Sequence, residues 1–185
     1  EIKNNKGSWV NKWGIQLGVK YIDAFGVPNL DIQLEANRVR PFTYTHNDTI
    51  SNYTHYNQPL AHPLGANFQE VLAIIRYQPA PKWHVYLQGI YYYKGLDSAG
   101  INFGGNIFRD YSTRSRNDGF TIGSGDKATV MNAYLQVSYE IRENIFFEVS
   151  GLYRHYKTIN NPTAATTTMF TGGIRINMFN RRYDL

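Results

Sequence analysis

The chain has no cysteine, which excludes a disulfide scaffold and a cysteine-ligated metal centre. It also lacks any unbroken apolar run of about 18 residues, so no stretch qualifies as a transmembrane helix. No signal peptide precedes Glu1, so an exported protein would be represented here by a mature or truncated chain. Charge is sparse at 18% of residues, and the net charge of +5 comes from scattered Lys and Arg. Without a dense basic stripe or an aromatic-plus-basic RNA motif, nucleic acid is not an expected partner. No composition shift marks a linker, and residues 1–185 read as a single domain. What the chain does have is aromatic side chains, with 15 Tyr and 10 Phe.

Period-two alternation organises the sequence. In "KWGIQLGVKYIDAF", Trp13, Ile15, Leu17, Val19 and Tyr21 alternate with Gly14, Gln16, Gly18 and Lys20, the mark of a strand with one apolar and one polar face. The same rule predicts strands near 9–24, 29–45, 68–78, 82–95, 128–142, 144–156 and 167–180, and no helix. The third is the least clean, because Leu72 and Ile74 interrupt its polar face.

Alternation alone fits both a soluble barrel with apolar side chains inside and a membrane barrel with them outside. The predicted strands are longer than the usual five or six residues. Connections alternate between short turns at 26–28, 78–82 and 142–144 and long loops at 46–67, 96–127 and 157–166, the rhythm of short periplasmic turns and long external loops. Aromatics sit near both ends of the apolar face, as in Trp13 and Tyr21 or Trp83 and Tyr91. The polar face carries Lys20, Asp31, Glu35, Lys94, Glu140, Arg142, Glu148, Arg154 and Arg175, charges that suit a wet or salt-bridged lumen and would be costly in a dry core. The expected fold is therefore all-β, a transmembrane antiparallel up-and-down β-barrel in a bacterial outer membrane. Seven strands start and end on opposite sides, whereas a closed even barrel does not. The chain thus reads as the C-terminal part of a larger barrel, with "FNRRYDL" ending in the periplasm, or else as a barrel whose eighth strand comes from elsewhere.

The stretches "YTHYNQPLAHPLGANFQE", "GLDSAGINFGGNIFRDYSTR" and "DGFTIGSG", together with the last strand, resemble the C-terminal region of the Wzi-like capsule assembly family of Bacteroidota, which includes the gliding-motility protein RemB. The resemblance implies a large, surface-exposed barrel that is not an enzyme, linked to surface polysaccharide or to gliding and adhesion machinery. Where the family motif has an acidic residue before "IF", this chain has Asn106.

Within the loops, Pro59 and Pro63 shape the stretch Tyr53–Phe68, because proline fixes φ and removes a donor. His55, Asn57, Gln58 and His62 are its candidate plug or lid residues, expected to reach a polar lumen. The spacing of His46, His55 and His62 matches no metal motif, and the aspartates of 96–127 lack a calcium-loop register. No metal or cofactor is expected. Arg109, Arg114 and Arg116 with Tyr111 are candidate contacts to anionic sugars or lipopolysaccharide phosphates, since guanidinium forks bind such groups bidentately. "DTI" and "DSA" make Thr49 and Ser98 candidate O-glycosylation sites. No serine shares a strand face with a suitably placed histidine and a third group, so catalytic residues are not assigned. The expected role is structural, binding or transport, with outer-membrane lipids, lipopolysaccharide and surface polysaccharide as partners. The alternatives are an accessory subunit docking other outer-membrane proteins and, more remotely, a barrel hydrolase.

Overall fold

A computed structural model of the chain describes residues 6–177. In chain order its strands are β1 (Gly14–Tyr21), β2 (Leu30–Val39), β3 (Thr54–His55), β4 (Gln58–Pro59), β5 (Phe68–Ala80), β6 (Trp83–Leu96), β7 (Asp126–Arg142), β8 (Ile145–Lys157) and β9 (Ala165–Ile176). Seven of them form one antiparallel sheet in the order β1-β2-β5-β6-β7-β8-β9, and β3 and β4 make a separate hairpin. The sheet is an up-and-down meander whose edges, β1 and β9, are not joined.

Strand ends depart from the periodicity where local chemistry stops extension. β1 begins at Gly14, not near residue 9, because the preceding residues turn: Asn11 N donates to Ser8 O and Lys12 N to Val10 O. β2 stops at Val39, not 45, since Pro41 has no N–H and Phe42 takes φ 63°. The first turn spans residues 22–29, longer than the expected 26–28, with Asp23 and Phe25 at positive φ and a 3-10 turn at Ala24–Gly26. Only Pro81 and Lys82 separate β5 from β6, and Glu143 and Asn144 separate β7 from β8. The expected continuation of the last strand to residue 180 and the placement of "FNRRYDL" lie outside the described residues, as does the segment 1–5.

The register keeps every outward position in step across the sheet. Tyr21, Ile32, Ile75, Leu87, Leu135, Gly151 and Phe170 stand opposite one another, one per strand. The next row toward the loops is Val19, Leu34, Ala73, Gly89, Ala133, Tyr153 and Thr168. Leu135, on a central strand, is still 46% exposed, and Leu17 is 69% exposed. The opposite, inner face carries rows such as Asp31, Arg76, Tyr86, Gln136, Ser150 and Thr171.

The dry core is small and lies at the loop end. Val39 and Phe68 on the inner face are buried against Ala66 and Ile107 from the loops, with Tyr44 and Leu64 packed alongside. Beside it Phe42 and Phe120 meet edge to face at 4.9 Å, and Trp9 packs on Phe42 at 6.5 Å. Gly104 permits this: at φ 75° its missing side chain would otherwise collide with the Phe42 backbone and ring.

Candidate functional site: the inner face and its lid

Most charges on the inner face are matched by neighbours. Lys20 pairs with Asp31 at 3.0 Å, and Glu35 accepts hydrogen bonds from Gln16 and Gln33. Arg76 donates to Gln33 at 3.2 Å and lies 5.7 Å from the Tyr86 ring centre. Tyr134 donates to Gln136, Gln136 to Ser138, and Ser138 to Glu148 at 3.0 Å. Arg175 closes the chain by donating to the same Glu148 oxygen at 2.8 Å. Glu140 accepts from the Asn144 backbone in the turn. Arg154 lines a cavity of about 460 Å³ with Gln88, Asn132 and Tyr134. A larger cavity of about 740 Å³ opens at the turn end between Asp31, Arg76, His84, Tyr86, Gln136 and Arg175. Pairing and hydrogen bonding offset the desolvation that isolated charges would suffer. His84 stands directly opposite Ser138, but the hydroxyl donates to Glu148, which itself accepts from Arg175, so His84 is not bonded to a nucleophile there.

The proline-rich stretch folds back over the loop end of this face. His62 Nε2 lies 3.0 Å from Glu70 Oε2, its Nδ1 accepts from Leu64 N at 3.2 Å, and its ring stacks on Phe68 at 4.5 Å. The Leu64 amide needs an unprotonated Nδ1, so Nε2–H is the donor to Glu70. Asn37 donates to the same Glu70 oxygen at 2.9 Å, and Lys94, also on the inner face, donates to Leu64 O at 2.6 Å. Of the four lid candidates only His62 reaches the inner face. His55, Asn57 and Gln58 are exposed on the β3–β4 hairpin, because the hairpin projects before the chain turns inward at Pro59–Gly65.

One side chain that is not among the candidate residues ties this lid to the long loop. Asn67 is fully buried. Its amide nitrogen donates to Gly95 O, Phe103 O and Ser124 O at 3.2, 3.2 and 2.8 Å, and its oxygen accepts from Gly123 N at 2.7 Å. Gly95 lets it in, since a side chain there would strike the Asn67 amide. An Asn at φ 61° between a Gly-Ala pair and a strand, with Gly-rich segments elsewhere, is the signal that sequence reading passed over.

The loop arginines are engaged within the loop and, for Arg114, against Trp9 of the N-terminal segment. Arg109 pairs with Asp97 at 3.0 Å and donates to Gly100 O. Arg114 stacks 4.0 Å above Trp9 and forks onto Asn117, and Arg116 covers Phe120 and donates to Gly119 O. Tyr111 packs on Trp9 at 4.6 Å, with the Lys12 ammonium 4.6 Å from its ring centre. Burial lowers the Lys12 pKa from its ordinary value. The Ser112 hydroxyl and amide both donate to Asp110 and hold its carboxyl below the usual range. His46 packs on Tyr111 and His55 on Tyr56, so the loop histidines do not converge with His62. Thr49 is exposed in a turn capped by Asp48, whereas Ser98 is half-buried and its hydroxyl accepts from Asn160 at 3.1 Å.

Replacing Asn67 by Ala removes a partner from three buried or part-buried carbonyls and one amide and is expected to cost about 1–3 kcal/mol. Limited proteolysis within 97–125 should accelerate, and Asn67→Asp, which turns a carboxylate oxygen toward carbonyls, should be worse. Unchanged unfolding temperature and cleavage in Asn67→Ala would remove it from this role. Comparison with known proteins gives no match to any family model, curated protein or solved structure.

Proposed function

We propose that the chain forms part of the wall of a transmembrane antiparallel β-barrel in a bacterial outer membrane, serving a structural, binding or transport role at the cell surface. The observation that carries this is the outward face: seven strands of exposed apolar side chains in register, with no Asp or Glu at any outward position paired in the sheet. From Trp83 to Tyr93 the outward residues of β6 span roughly 33 Å along the strand, and at a tilt of about 40° that stands close to the ~25 Å apolar band of such barrels. A lipid-facing sheet cannot leave its edges unpaired. β1 and β9 run in the same direction, so antiparallel closure takes further strands between them. The resemblance to the Wzi-like family supports a link to surface polysaccharide or to gliding and adhesion machinery.

Placing a charge at mid-strand on each face tests the proposal. In refolding into lipid vesicles, Leu135→Arg should lower the inserted fraction, by a cost of about 2–4 kcal/mol, while the neighbouring Gln136→Arg should insert like the parent. Equal insertion of the two variants would sink the membrane assignment.

The lid over the inner face favours a restricted lumen. Deleting Thr54–Leu64 removes the His62 contact to Glu70 and the Lys94 contact to Leu64, and should raise single-channel conductance in planar bilayers. Conductance equal to that of the parent refutes the lid role.

A second reading, docking of another outer-membrane protein, is favoured by apolar side chains exposed on the same loop: Ile50 and Tyr56 are 90% and 89% exposed, and Tyr53 and Leu60 are also open. Affinity isolation from native membranes should then recover a partner that Ile50→Ser with Tyr56→Ser releases. Recovery of the protein alone counts against docking.

A further inference from the structure

Among the described residues, the outward face is charged at its two rims only, and unequally. One row across the sheet at the loop end reads Arg38, Gln69, Tyr93, Thr129 and Lys157, each directly opposite the next on β2, β5, β6, β7 and β8. Lys127 stands two residues above Thr129 on the same side, opposite Gly95. His155 is in the row below, opposite Met131. Two of the cations are held against rings, Lys127 at 4.0 Å from the Tyr93 centre and Arg38 at 5.8 Å from that of Trp13. At the turn end the corresponding outward residues are Tyr77, Trp83, Tyr139 and Phe147, and the basic residue there is Arg142, expected on the polar face but paired with the outward Ile145 because the register shifts after Glu140. None of Arg38, Lys127 and Lys157 has an acidic partner among the described ion pairs. On the inner face Lys20 and Arg175 are each neutralised by a carboxylate, and Arg76 and Lys94 donate to neutral oxygens there, so the rim cations are set apart by their place directly above the apolar band.

Resting on the membrane-wall reading above, we infer that this rim is a docking surface for the phosphate groups of anionic lipid headgroups in the leaflet at the loop end. Unpaired cations directly above an apolar band stand at headgroup height, where an interfacial anion meets them without losing the apolar contacts of its own chains. A guanidinium fork on β2 and ammonium groups on β7 and β8 spread that contact over five adjacent strands, wide enough for more than one phosphate. Charge complementarity selects this occupant: an apolar protein partner would bury three unpaired cations, whereas a phosphorylated leaflet neutralises them. The site is distinct from Arg109, Arg114 and Arg116, whose guanidinium groups are engaged within the long loop.

The test compares thermal unfolding of the full-length protein in neutral phosphatidylcholine vesicles, in the same vesicles with bisphosphorylated lipid A, and with its dephosphorylated form. Bound phosphorylated lipid should raise the unfolding temperature, and the dephosphorylated form should not. In the triple variant Arg38→Gln, Lys127→Gln, Lys157→Gln the gain should disappear, with lipid A binding at least about tenfold weaker, while Arg142→Gln should respond like the parent. An equal shift in parent and triple variant, or with and without phosphate on the lipid, overturns the inference. Insertion into neutral vesicles with indifference to phosphate overturns this inference and leaves the membrane wall standing. Failure to insert into any vesicle overturns both.

Discussion

Strand register is the constraint on which the rest of the molecule depends. A pleated strand sends successive side chains to opposite faces, so seven strands keep two chemically different surfaces only if every ladder is in step. Slipping β7 by one residue against its neighbours would exchange Leu135 with Gln136 and Val137 with Ser138 across the sheet. Both register irregularities between long strands, at Tyr77/Ala80 and at Glu140/Arg142, lie at the turn end. The rows that carry the apolar band are left undisturbed.

The interior follows from that arrangement. Because most apolar residues of the strands are turned outward, the cluster of buried apolar side chains lies at the loop end, where Val39 and Phe68 meet Ala66 and Ile107. Elsewhere the inner face is stabilised by hydrogen bonds and ion pairs in sequence, from Tyr134 through Gln136 and Ser138 to Glu148 and Arg175. Each such contact is modest alone, and their continuity matters because a gap would leave a charge without a partner.

Strand placement was legible because alternation is a local property of the chain: the Trp83–Tyr93 and Met131–Tyr139 runs announce both their extension and their facing. β5 was harder, since Leu72 and Ile74 are apolar residues on the inner face. Strand ends were missed wherever a single backbone feature decided them, as at Pro41 and Phe42. The loops were scarcely legible. Arg109, Arg114 and Arg116 look like free ligand-binding groups in the sequence, yet their partners Asp97, Asn117 and Gly119 are supplied by the fold. Of the lid residues, His62 could be expected to find a polar partner, but that its partner is Glu70, eight positions away on a strand, depends on how the chain turns.

Asn67 has a thermodynamic consequence beyond its hydrogen bonds. It sits where the lid meets β5 and holds carbonyls of β6 and of the long loop at once, so the two segments lose their conformational freedom together. A molecule bound against either one finds the other already ordered, and the entropy of ordering is spent once for both. Two loops far apart in sequence are therefore ordered as a single unit.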